Sequence, residues 1–209
     1  PAGIDIPFSG AACTISDLNF RFDGTPSATV GDTGVGVTHS WVADLVFKLT
    51  SPQGTSVTFY DRPGVPASSI GCSSNNLAQV ILDDDGGFPA VENQCGASSA
   101  AAFPSGSFAP NNPLSAFDGQ SAAGTWTLNV SDNASSDTGT VRAFSLVLTC
   151  ASGPAPTPTP MPKGTYTSAV IILVTDGGNN QSPDPFEIAQ TAADLGVRIY
   201  TVGIGSPGG

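Results

Sequence analysis

The chain has 209 residues, with six Lys and Arg against seventeen Asp and Glu, so its net charge is −11 and its pI is near 4.1. That balance repels nucleic-acid phosphates and anionic lipid and leaves divalent cations or plain solubility as reasons for the acidity. Only 11% of residues are charged, beside 25 Gly and 18 Pro, which predicts short strands joined by many turns around one sizeable core plus a smaller unit. No run of about 18 apolar residues occurs, so no transmembrane segment is expected. Pro1 is not followed by a basic and then apolar leader; any secretion signal is expected to have been removed or to lie outside this sequence.

Residues 1–12 read as an irregular lead-in. Residues 15–22 read as a strand, with Leu18, Phe20 and Phe22 on one face, and 24–37, rich in Gly, Thr and Asp, as a loop or weak strand. From Trp41, apolar Ala43, Leu45, Phe47 and Leu49 alternate with Val42, Asp44, Val46, Lys48 and Thr50, a period of two that defines a core strand. Ser51-Pro52-Gln53-Gly54 supplies a turn, and residues 55–60 return as a β-branched and aromatic strand that ends at Arg62-Pro63-Gly64. Residues 66–95 carry few strand signals, and 97–112, rich in Ala, Ser, Gly and Pro, read as a long surface connection. Trp126, Leu128 and Val130 mark another strand. Phe144, Leu146 and Leu148 mark the last, which ends at Cys150.

The four cysteines form no C-x-x-C pair and the chain has one His, so a zinc site is not expected. Cys72 and Cys95 flank the 72–95 loop, while Cys13 precedes the first strand pattern and Cys150 ends the last. The expected bonds are therefore Cys72–Cys95 and Cys13–Cys150, which implies an oxidising compartment outside the cell.

Two stretches carry a family resemblance. H-x-W-V-x-D-L-V-F-x-L-x-S-P-x-G-T-x-V-x-x-x-D-R-P-G over 39–64, and P-L-S-x-F-x-G-x-x-x-x-G-x-W-x-L-x-V-x-D over 113–132, resemble the P domain of proprotein convertases and its relatives in secreted bacterial proteins. The resemblance covers about residues 13–150. It implies a two-layered, antiparallel, jelly-roll-like β-sandwich. The 71–95 segment, with Asp83, Asp84, Asp85 and Glu92, resembles a loop near which some bacterial members bind calcium. Hard carboxylate oxygens suit Ca²⁺, so Asp44, Asp83, Asp84, Asp85, Glu92 and Asp118 are the candidate ligands; a solvated acidic loop is the alternative.

Five prolines at every second position from Pro154 to Pro162 predict a semi-rigid spacer, spanning about 28 Å as polyproline II. Beyond it, residues 169–175 read as a buried strand, 184–195 as a helix with Asp184 as cap and Pro185 in its first turn, and 197–204 as a second strand, a βαβ unit. G-T-Y-x-S-A-V-I-I-L-V-T-D-G-x-N-N and the stretch after it resemble the C-terminal half of a bacterial von Willebrand factor A domain. In that family the Asp of T-D-G, here Asp176, helps to hold a metal together with an earlier D-x-S-x-S. No D-x-S-x-S occurs in this sequence, so only a partial site is implied.

Serine hydrolase chemistry needs a nucleophile, a base and an orienting acid. His39 is the one candidate base and reads as structural, Gly54-Thr55-Ser56 opens a hairpin strand rather than a helix, and G-x-S-x-G is absent. No enzyme activity is expected of this chain. Two functions follow. One is a non-catalytic extracellular module for adhesion or assembly, self-associating or binding a protein partner, which the von Willebrand-like tail favours. The other is the accessory P domain of a larger secreted subtilisin-like protease.

Overall fold

A computed structural model describes residues 2–8, 10, 12–151, 170–175, 190–192, 194 and 197–203. The chain divides into two units, Pro1–Ala151 and Ser152–Gly209. The proline-rich stretch 154–162, Asp176 and most of the helix expected over 184–195 lie outside the described residues.

The first unit is built from β1 (Ala2–Phe8), β2 (Ile15–Phe22), β3 (Val37–Thr38), β4 (Leu45–Thr50), β5 (Ser56–Asp61), β6 (Val80–Leu82), β7 (Gly106–Phe108), β8 (Gly124–Asp132), β9 (Thr140–Val141) and β10 (Phe144–Cys150). One four-stranded sheet has the order β1-β8-β4-β5 and the other β10-β2-β6-β7. The architecture is mainly β, with both four-stranded sheets mostly antiparallel, in keeping with a sandwich.

Alternation explains the strands that hold the core. Leu18, Phe20 and Phe22 of β2 are fully buried, as are Phe47 and Leu49 of β4 and Leu128 of β8. Aromatic rings join the layers: Phe20 lies 4.4 Å from Phe59 and Phe22 lies 4.9 Å from Phe47, centroid to centroid. The β4–β5 register shifts at Phe47/Lys48, so that Phe47 faces Tyr60 while Lys48 faces Thr58. That bulge takes the neighbours Phe59 and Tyr60 out of strict alternation, and both are fully buried.

Several expectations need correction. Residues 2–8 are not an irregular lead-in but an edge strand, β1, paired antiparallel with β8 from Ala2↔Val130 to Phe8↔Gly124. Ile4, Ile6 and Phe8 alternate along it, and Pro7 is tolerated because an edge strand has one unpaired side. The core strand starts at Leu45, not at Trp41. Val42–Asp44 is a 3-10 turn, because His39 Nδ1 captures the Trp41 amide at 3.0 Å and Trp41 carbonyl accepts the Asp44 amide at 3.1 Å. The 66–95 segment contributes β6 to the second sheet, and the supposed surface connection contributes β7 with buried Phe103 and Phe108. β6 and β7 pair parallel, so this sheet is not wholly antiparallel; the long excursion between them returns the chain in the same direction.

Both disulfides join ends of the framework: Cys13 is bonded to Cys150 and Cys72 to Cys95. In the second unit, β11 (Val170–Thr175) and β12 (Arg198–Gly203) pair parallel, from Val170↔Arg198 to Thr175↔Gly203. Residues 190–192 and 194 between them are helical, and the Val197 amide donates to Ala192 carbonyl at 3.0 Å.

Candidate functional site in two acidic regions

Of the six sequence candidates, Asp83, Asp84, Asp85 and Asp118 lie in one region, while Glu92 and Asp44 are placed elsewhere. Asp84 sits just after β6 and uses both carboxylate oxygens, accepting the Leu114 and Ser115 amides at 3.0 Å each. It thereby satisfies the orphan donors that open the 3-10 turn Leu114–Phe117. Asp83 Oδ1 accepts the Asp85 amide at 2.9 Å, a local turn bond. Glu92 is occupied elsewhere, its Oε1 accepting the Gly64 amide at 3.1 Å and its Oε2 the Asn111 side-chain amide at 2.9 Å. Asp44 lies on the turn before β4, apart from these. Among the described residues, no three His, Cys, Asp or Glu side chains come together to hold a metal ion.

Asp83, Asp84 and Asp85 nevertheless form one negative face with two acids outside the candidate loop and its flanks. Burial raises the Asp17 carboxyl above its ordinary pKa, and the charges of Asp85, Asp83 and Asp84 add to the rise. Asp118 is raised in the same way, by burial and by Asp17, Asp85 and Asp84. Asp17 was not legible as a member because it is one of the outward residues of β2, and only sheet geometry brings it near a loop more than sixty residues later.

The sign of the resulting pH dependence follows. A carboxyl with a raised folded pKa binds protons that the unfolded chain has already released, so its contribution favours folding as pH falls through the raised value and is unfavourable near neutrality. Asp118 is exposed and solvent screens the repulsion, so Asp118→Asn is expected to stabilise by only about 0.5 kcal/mol at pH 7. The gain should shrink as pH falls to about 4, into the ordinary carboxylate range, because protonation removes the repulsion that the substitution relieves. Urea unfolding of both proteins at the two pH values checks this, and an equal difference at both would refute it.

The second region surrounds the one histidine. His39 is 1% exposed. Its Nδ1 accepts the Trp41 amide, which places the ring proton on Nε2, and Nε2 donates to Asp132 Oδ2 at 3.3 Å. Both nitrogens are thus engaged in tying the start of the β4 segment to the end of β8. His39 belongs to the first motif of the sequence and Asp132 ends the second, so their contact joins the two stretches that carried the family resemblance. Gly139 passes so close that a Cβ there would overlap Thr38 carbonyl and lie 2.6 Å from His39 Cδ2. Gly139→Ala should cost about 1–3 kcal/mol through this overlap, to be read from the denaturant midpoint. An unchanged midpoint would show that β9 moves away without penalty.

Asp44 is 5% exposed. Burial pushes its carboxyl upward, Asp132 and Asp137 add to the rise, and Arg62 and, when its ring is protonated, His39 act in the opposite sense. Asp132 and Asp137 were not among the sequence candidates, although Asp132 stands inside the second motif.

The comparisons with known proteins bear on the first unit. Residues 91–148 match the family model of the proprotein convertase P-domain. No curated protein matches the chain. A solved complex of Aeromonas sobria serine protease and the chaperone is similar at 16% identity and a TM-score of 0.22. That likeness covers 72% of this chain and 24% of the other, so the chain spans about a quarter of it, and the score is too low to bear on fold or function.

Proposed function

We propose, from the P-domain match over residues 91–148, that the first unit is the non-catalytic accessory domain of a larger secreted subtilisin-like serine protease. The match runs from the end of the disulfide loop through β7, β8, β9 and nearly all of β10. The observation that carries the reading is the contact between His39 and Asp132, since it ties the matched segment to residues 39–64, the other stretch that resembles P domains. Two disulfides fit an extracellular location, and among the described residues no helix is long and apolar enough to cross a membrane. This reading displaces the expectation that put an adhesion module first.

The test uses the full-length secreted protein. Deleting residues 1–151 from it should leave peptidase activity that is lost faster on heating, while the 1–209 chain alone hydrolyses no peptide substrate. A full-length protein without peptidase activity would overturn the proposal.

The parallel pairing of β11 and β12 around helical residues favours a second role for residues 164–209, as part of a von Willebrand factor A-like segment serving adhesion or assembly. A two-stranded parallel sheet cannot cover its own faces and edges, so a neighbouring copy is one source of the missing layer, and repeating the contact head to tail would build a filament. Light scattering on residues 1–209 and 1–153 separates the cases: assemblies from the longer chain alone support the role, and monomers from both refute it.

A further inference from the structure

A cavity of about 230 Å³ opens between the 3-10 turn Val42–Asp44, the loop after β5 and the turn after β8. Trp41, Asp44, Arg62, Ile70 and Asp137 are among its walls. Asp44 is 5% exposed, yet among the described residues its carboxylate accepts no hydrogen bond and makes no ion pair. Its backbone carbonyl alone is used, by the Asn133 amide at 2.8 Å and the Asn133 side chain at 3.3 Å. Among the described residues, the side-chain oxygens sealed from solvent without a partner are Asn19 Oδ1 and Asn75 Oδ1, not those of Asp44, so this carboxylate is open to a countercharge brought into the cavity.

The neighbours do not supply that charge. Arg62 lies in the same wall, but its Nε donates to Ala43 carbonyl at 3.1 Å and it forms no ion pair with Asp44. Asp137 accepts the Ser40 hydroxyl, and Asp132 is engaged by His39. Among the charged side chains that line the cavity, Asp44 and Asp137 outnumber Arg62, so the wall is net negative.

The other walls select the kind of cation. Trp41 Nε1 donates to Ile70 carbonyl at 2.7 Å, which holds the indole beside the opening, and Ile70 itself is 61% exposed. An aromatic face and an aliphatic side chain beside two carboxylates suit a cation on an apolar stem. A bare divalent ion would need more anionic ligands than converge here, since no three acidic, His or Cys side chains meet among the described residues.

We propose that this cavity binds an alkylammonium or guanidinium group, the end of a lysine or arginine side chain from a protein partner. Asp44 is its counter-ion, Asp137 a second acceptor, and Trp41 with Ile70 packs on the stem. The assignment rests on the cavity and not on the accessory-domain reading, and it stands or falls without a protease being present.

The test titrates the 209-residue chain with Nα-acetyl-lysine amide, Nα-acetyl-arginine amide and neutral Nα-acetyl-norleucine amide, followed by amide and indole NMR shifts. Saturable shifts at the Trp41 indole and the Ile70 and Asp137 amides are expected with the two cations and not with norleucine. Asp44→Asn should weaken cation binding at least tenfold and, because it removes a buried charge, should raise Tm. Asp137→Asn keeps an acceptor for Ser40 and should weaken binding by a smaller factor, so a misfolded Asp44 variant does not end the test. Equal binding of norleucine amide would make this an apolar pocket only. Cation affinity unchanged in both variants, or saturable shifts at the same residues with Ca²⁺ alone, would overturn the proposal.

Discussion

Phe20→Ala should destabilise the first unit by about 3–5 kcal/mol, the range for deleting a buried aromatic side chain that leaves a cavity. Phe20 is fully buried on β2, a central strand of its sheet. Its ring meets Phe22 at 4.9 Å, Phe59 at 4.4 Å and Phe144 at 5.5 Å. Phe59 comes from the opposite sheet, so the deletion removes contacts within one layer and between layers at once. A domain of this size has about 5–15 kcal/mol of net stability, so the variant should retain a fold with a strongly lowered midpoint in guanidinium chloride. Val147, 42% exposed on β10, provides the contrast: Val147→Ala should shift stability by less than about 0.5 kcal/mol. Comparable losses at the two positions would mean that the layers do not close around the Phe20 cluster.

Removing the Cys13–Cys150 bond with paired serine substitutions should cost about 5 kcal/mol, and removing Cys72–Cys95 about 3 kcal/mol. The order follows from loop closure: the first bond restrains 137 residues of separation in the unfolded chain and the second only 23. Native contacts point the same way. Cys13 and Cys150 lie where β2 and β10 meet, at a register shift that sets Cys150 opposite Ile15. The Ala122 amide donates to Cys13 carbonyl at 2.9 Å and the Ile15 amide to Gln120 carbonyl at 2.8 Å. Freeing this corner loosens the β2–β10 pair and the chain leading back to β1 together. Denaturant unfolding of the two double variants decides the matter, and a larger loss from the shorter loop would show that native packing, not restraint of the unfolded chain, governs these bonds.

Alternation was enough to locate β2, β8 and the Leu45–Leu49 part of β4, because each presents one apolar face to a core and period two is visible whenever one face is buried. The cysteine positions at the ends of those patterns were enough to propose both pairings that the structure contains. Alternation was not enough for β6 and β7, three residues each, since so short a run cannot establish a period. Nor did it set the direction of their pairing, which depends on where the intervening chain travels. Residues 42–44 kept the strand pattern but became a turn, because the bond from the Trp41 amide to His39 Nδ1 competes with extension. The acids show the same division most plainly. Asp83, Asp84 and Asp85 are adjacent in sequence, yet Asp84 caps the turn at Leu114 while Asp83 closes its own loop. His39 and Asp132, 93 residues apart, touch because β4 and β8 pair from Leu45↔Asp132 to Thr50↔Thr127. A period records which face of one element is buried. Which side chains from different elements share a site is set by strand order and register, and those are settled only when the layers pack.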